Sequence, residues 1–296
     1  MATARSSQVG AGAVFVVALV VAALALSNSH NHPPAPEVGS GCLASSTDYN
    51  VPLTTGQAGI AATIAGVASR RRLPARAVTI AYATALQESD LENLPYGDRD
   101  SVGIFQQRPS QGWGTRAELL NPIYATTRFF EALVAIPGYQ KLAIYQAAQD
   151  VQHSADGSAY SQYAGQGQVM AAGFAGWQGR SVYCWYGDTV ANDDGASHKG
   201  PAARNRRLAS AKHDLKAAYG HLLTGHVGDP IMTVRVRDHA IGWSVATWLV
   251  THADNYRISE VRFAGYRWTA ANGHRGWVKA RPSRHWPSAR LTVAFG

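Results

Sequence analysis

Residues 77–86, Ala77-Val78-Thr79-Ile80-Ala81-Tyr82-Ala83-Thr84-Ala85-Leu86, would be apolar on nearly every face of a helix. Such a helix has no polar side to turn to water, so it is buried in a core rather than laid on a surface. Pro74 suits its first turn, and it must end before Leu94-Pro95, because the residue preceding a proline is pushed out of the α region. The chain has to supply partners around it. Apolar residues at helical spacing predict helices over 57–69, 121–135 and 142–152, with a weaker stretch over 159–173. Residues 55–187 therefore read as a mainly α domain. The 46% apolar content is enough to fill its core and excludes a disordered chain.

Glu88 stands at the end of this central helix with Ser89. Fifteen residues after Glu88 the chain begins Gly103-Ile104-Phe105-Gln106-Gln107-Arg108-Pro109. Apolar surroundings and the negative end of a helix both disfavour a charged carboxyl, which is the setting a proton-donating acid needs for glycoside cleavage. Each residue also has a plainer reading. A glutamate at a helix end is ordinarily a solvated charge; Ser101, Gln106 and Gln107 can satisfy loop backbone; Phe105 and Trp113 are more often core than sugar platforms.

The pattern resembles the lytic transglycosylase branch of the lysozyme-like superfamily. There a Glu-Ser pair is followed at the same interval by Gly-Leu-Met-Gln and a proline three residues on. Glu88, Ser89, Gly103, Gln106 and Pro109 fit, with Ile104 and Phe105 in place of Leu and Met. A closer likeness is to secreted actinobacterial wall proteins with runs such as Tyr96-Gly97-Asp98-Arg99-Asp100-Ser101 and Phe105-Gln106-Gln107-Arg108-Pro109-Ser110-Gln111-Gly112-Trp113-Gly114. The family's Asn-Pro after Glu-Ser is missing, the chain reading Asp90-Leu91-Glu92-Asn93-Leu94-Pro95 instead. The resemblance, over residues 55–165, implies that Glu88 is the catalytic acid and base. The substrate is then peptidoglycan, cut between N-acetylmuramic acid and N-acetylglucosamine, with the muramic acid's own 6-hydroxyl attacking to leave an anhydro end. It implies sugar contacts from Ser101, Gln106 and Gln107, and from Tyr145, Gln149, Gln152 and Ser154 on a cleft-lining helix. No cofactor or metal is implied. Hydrolysis would need a second carboxylate; Asp90 points away along the helix, and Asp98 and Asp100 stay open.

Residues 11–26 are an unbroken apolar run of sixteen preceded by Arg5, so residues 1–32 read as a signal peptide or, by a slight preference, an uncleaved N-terminal membrane anchor. Residues 33–54, rich in Pro, Gly, Ser and Asn, read as a flexible tether. Cys42 and Cys184 are the only cysteines, both beyond the export segment; outside the cytoplasm they most simply pair. The net charge of +8 favours anionic surfaces, here wall polymers and, through the N-terminal segment, the membrane. An export signal argues against nucleic acid. Arg70-Arg71-Arg72 reads as a helix end.

Residues 188–219 read as a hydrophilic linker, with Asp193-Asp194 lacking the pattern of a calcium loop, followed by a basic helix carrying Arg204, Arg206, Arg207, Lys212 and Lys216. Residues 220–296 then read as a small α+β accessory domain, with strands at 231–236, 258–263 and 290–295 and a helix over 240–253. This part resembles a zinc-peptidase-like wall module. Ala289 and Leu291 stand where its metal-binding histidines would be, and His239, His252, His274 and His285 have no ligand spacing, so a metal-free module follows. Two functions emerge: a glycan-strand cleaver, or a non-catalytic peptidoglycan-binding scaffold of the same shape.

Overall fold

The computed structural model describes residues 39–152, 158–187, 200–220, 224–228, 231–236, 238–281 and 290–296. The apolar run 11–26, Ser154, the Asp193-Asp194 loop, His285 and Ala289 lie outside them. Among the described residues no helix is long and apolar enough to cross a membrane.

The described residues form an α+β fold with helices and two antiparallel sheets. Helix α1 (Thr55–Arg70) opens on a reciprocal cap: Thr54 Oγ1 accepts the Gln57 N–H while Gln57 Oε1 accepts the Thr54 N–H. It closes at the arginine run. Arg70 donates to the Ala217 carbonyl and to Thr127 Oγ1, and Arg71 pairs with Glu131, so these cations are spent on packing. Helix α2 (Ala75–Ser89) is buried at every position from Ala77 to Leu86, as its sequence demands. Its small residues allow neighbours to come close. Tyr82 donates to the Ala61 carbonyl of α1, and a Cβ on Gly167 would stand 3.0 Å from the Thr79 carbonyl, so the helix that carries Gly167 packs backbone against backbone. After the short helix α3 (Arg116–Leu119), which packs on α4 (Pro122–Ala135), α4, α5 (Ile144–Gln152), a 3₁₀ segment at Ser158–Tyr163 and α6 (Ala164–Phe174) lie around α2. Asn121 caps α4 ahead of Pro122.

The first sheet corrects the tether expected over 33–54. Strands β1 (Gly41–Ser45) and β2 (Asn50–Leu53) pair with β3 (Val182–Trp185) in the order β2-β1-β3. Cys42, Ala44, Val51 and Leu53 alternate inward, so this stretch has a core face despite its polar composition. Cys42 lies opposite Cys184 in the ladder, and the two form a disulfide across 142 residues of chain.

Helix α7 (Pro201–Tyr219) buries Leu208, Ala211, Leu215 and Tyr219 and leaves Arg206, Lys212 and Lys216 in water. Next come β4 (Thr224–Gly228), β5 (Ile231–Arg235), α8 (His239–Thr251), α9 (Ala253–Tyr256), β6 (Ile258–Phe263), β7 (Tyr266–Thr269), β8 (Val278–Lys279) and β9 (Leu291–Phe295). The strands make one sheet in the order β4-β5-β9-β6-β7-β8.

Residues 220–296 do not stand apart from the helices before them. Helix α8 is buried from Gly242 to Thr251 because it packs on β6 with one side and on α1 with the other. Polar bonds cross the same seam. The Ser244 hydroxyl donates to the Phe174 carbonyl and bonds the Tyr219 hydroxyl; Tyr186 donates to the Val250 carbonyl; Trp268 and Trp277 donate from their indole N–H groups to the Cys184 and Val182 carbonyls. The described residues fall in one compact unit.

His252 ends α8 against α1, where a Cβ on Gly59 would meet its Nε2 at 3.5 Å. Its ring stacks on Trp248 at 4.1 Å, and Nδ1 lies 2.8 Å from the Trp248 carbonyl. Burial pulls its pKa down to about 4, against smaller opposing effects of that carbonyl and of Asp214. An imidazole kept neutral in the folded state and titrating near 6.5 when unfolded stabilises fully above about pH 6.5, and that stability is lost as pH falls from there towards 4. Because the ring keeps some contact with solvent, we expect a loss of about 1–2 kcal/mol over that window. Urea titrations at pH 7 and pH 4.5 check this, and His252→Gln should flatten the difference. For the disulfide, reduction should cost roughly 3–5 kcal/mol, the chain-entropy cost of freeing so long a loop, read as a lower urea midpoint with dithiothreitol.

Candidate functional site

The polar end of α2 is where the buried helix meets solvent. Asp90 takes the left-handed conformation that stops the helix, at φ 52°, and its carboxylate and carbonyl both accept from the Gln57 side-chain amide, at 3.1 and 2.8 Å. Asp90 is thereby committed to joining α1 and α2. Ser89, one residue earlier, is buried and its hydroxyl points to the Ala85 carbonyl at 3.1 Å and the Ile104 carbonyl at 2.9 Å. That second bond joins the helix end to the motif fifteen residues downstream.

The motif is a tight hairpin. Val102 and Gln107 exchange backbone hydrogen bonds, and Gly103 sits at the turn with φ 79°. Only glycine suits that position: besides the positive φ, a Cβ would stand 2.5 Å from the Leu119 carbonyl. The Gly103 N–H donates to the Leu94 carbonyl, closing the loop over Leu94-Pro95 onto the hairpin. Gln106, also at positive φ (46°), donates from its amide to the Gly103 and Tyr96 carbonyls. Phe105 is wholly buried and stacks on Phe129 at 4.3 Å, so it is core rather than a sugar platform. Trp113 is half-buried against the same core.

Glu88 is partly exposed beside this hairpin, and its Oε1 accepts the Tyr160 hydroxyl at 2.6 Å. Tyr160 is buried, presented by the 3₁₀ segment before α6, and was not among the residues singled out from sequence. Its position in the weakest helical stretch gave no signal that it would face Glu88. A short hydroxyl-to-carboxylate bond fixes the rotamer of the acid.

The sequence-predicted contacts divide into two groups. Gln152 donates to the Phe105 carbonyl at 2.7 Å, which holds the hairpin against α5. Gln107 is 2% exposed and donates to the Ala125 carbonyl, and Ser101 is likewise buried, so both support the loop from beneath rather than offering a free face to a ligand. Gln106 is partly exposed and Tyr145 lies at the surface of α5. Of the two loop acids, Asp100 accepts from the Ser110 N–H, the Arg108 guanidinium and the Ser110 hydroxyl. Those bonds, the Ser110 N–H foremost, hold its carboxyl well below the usual range. Asp98 is exposed and only loosely paired with Arg99. Among the described residues no cluster of three or more His, Cys, Asp or Glu is arranged to hold a metal ion, and Leu291 is buried in β9 against Val234.

No protein-family model matches the chain, and no curated protein matches it.

Gly103→Ala tests how tightly the site is built. The strain of a side chain at φ 79° adds to the clash with Leu119, and we expect a loss of about 2–4 kcal/mol in unfolding free energy, measured by urea denaturation.

Proposed function

We propose that this protein is an exported, lysozyme-like enzyme that cuts peptidoglycan strands between N-acetylmuramic acid and N-acetylglucosamine, with Glu88 as the general acid and base. The observation that carries the reading is the partly exposed Glu88 carboxyl at the end of a buried helix, held by Tyr160 beside a hairpin that Ser89 ties to the same helix end. The cysteine pair is consistent with an oxidising compartment outside the cytoplasm.

Glu88 gives its proton to the glycosidic oxygen as the C1–O bond breaks, and the N-acetylglucosamine side leaves as an alcohol. The Glu88 carboxylate, supported by the Tyr160 hydroxyl, then takes the proton of the muramic acid's 6-hydroxyl. That oxygen bonds to C1, closing a 1,6-anhydro ring and returning Glu88 to its acid form. This route needs a single carboxylate, which suits a site where Asp90 is bound to Gln57 and Asp100 to Arg108 and Ser110. The charge of +8 draws the protein to anionic wall polymers, an attraction that weakens with salt.

With sacculi as substrate, Glu88→Gln should lower release of anhydro-muropeptides by about 100-fold or more while the thermal midpoint stays close to that of the parent. Mass spectrometry of the soluble fragments reads the result. Undiminished release by the variant removes Glu88 from the chemistry. Tight sacculus binding with no release by the parent protein would mean a wall-binding scaffold instead.

A further inference from the structure

We propose that Tyr96 is an exposed stacking platform, rooted on a held loop, for one N-acetylhexosamine ring of a glycan strand, forming a subsite on the loop between Glu88 and the Gly103 hairpin. The inference rests on the proposed glycan substrate but not on turnover. Tyr96 is the most exposed large apolar side chain among the described residues, at 68%. An aromatic ring in water is unremarkable on a loose loop, but this loop is pinned at four successive positions. The Leu94 carbonyl accepts the Gly103 N–H, the Pro95 carbonyl accepts the Arg116 guanidinium, and the Tyr96 carbonyl accepts the Gln106 amide. Gly97 packs so closely on Gln106 that a Cβ there would overlap its Oε1, at 1.8 Å.

Backbone held this firmly fixes where the side chain is rooted without covering the ring. A loop already ordered spares the ligand the cost of ordering backbone, and an aromatic side chain has only two χ angles to fix, which is why such residues serve as anchors. The Tyr96 carbonyl is bonded by Gln106, two residues along the hairpin from the Ile104 carbonyl that Ser89 grips, so the ring is anchored to the same hairpin as the helix end that bears Glu88. Its chemistry selects the ligand class. A phenol offers a flat apolar face with a polar tip, matching the axial C–H face of a pyranose and the hydroxyls at its rim. The amide N–H groups of Gln106 are spent on the Gly103 and Tyr96 carbonyls, so they hold the loop and leave the ring to supply the contact.

The test uses the full exported chain carrying Glu88→Gln, so that ligand is not consumed, and chitotetraose as the probe, followed by isothermal titration and by tyrosine fluorescence. We expect Tyr96→Ala to weaken binding about tenfold or more and Tyr96→Trp to retain it, with thermal midpoints unchanged because the ring contacts water. Equal affinity of the alanine variant and its parent, or no binding of chitotetraose by the parent, overturns the subsite. The two proposals fail separately: if the protein without the Glu88 change releases no fragments from sacculi, yet chitotetraose binding still depends on Tyr96, the catalytic reading falls and the subsite stands.

Discussion

A helix without a polar side has to be enclosed, and only its ends can carry chemistry. Helix α2 is that helix. Its burial from Ala77 to Leu86 requires α1, α6 and their neighbours to close around it, and the small residues that make it apolar also let those backbones approach. The first polar residues after the buried stretch are Gln87, Glu88 and Ser89. Of these, Ser89 is drawn inward to bond Ile104, and Glu88 emerges partly exposed, held from beneath by the buried Tyr160. Enclosure of the helix therefore places the candidate acid and attaches the hairpin in one step.

The same logic recurs in α8. It too is buried all round, and it is enclosed by β6 on one side and α1 on the other. The relay from Tyr219 through Ser244 to Phe174 satisfies the buried hydroxyls on this seam, since an unpaired one would cost on the order of 1–3 kcal/mol. Tryptophan indoles reaching the β3 carbonyls tie the seam to the strand that bears Cys184. The disulfide thus sits where the small sheet, the helical core and the C-terminal sheet meet, and it braces the junction rather than a single domain.

Around Glu88 most of the polar side chains serve the backbone. Gln107, Gln152, Asn93 and Asp100 each hold a loop or helix terminus by a side-chain bond. Loops that lack ladders must satisfy their carbonyls and N–H groups in this way. The consequence is a rigid frame from which a few groups, Glu88, Gln106 and Tyr96, reach outward.

The sequence alone determined the helices. Hydrophobic period, prolines and the arginine run placed α1, α2, α4 and α5 within a few residues of their ends, because those signals are local. It also determined that Glu88 ends the central helix and that Cys42 and Cys184 would pair, since two cysteines have one partner each. Tertiary structure alone decided the rest. The stretch 41–53 looks like a spacer by composition, and its strands form a sheet because β3 arrives from far downstream, Cys184 lying 142 residues after Cys42, to pair with β1. Helix α8 is apolar on both faces, but nothing in its own residues says that α1 covers the second face and joins 220–296 to the main core. Tyr160 meets Glu88 across 72 residues, and Gln107 turns inward while Gln106 turns out. Local spacing cannot encode such partners, because each is chosen by whichever distant element fills the remaining space.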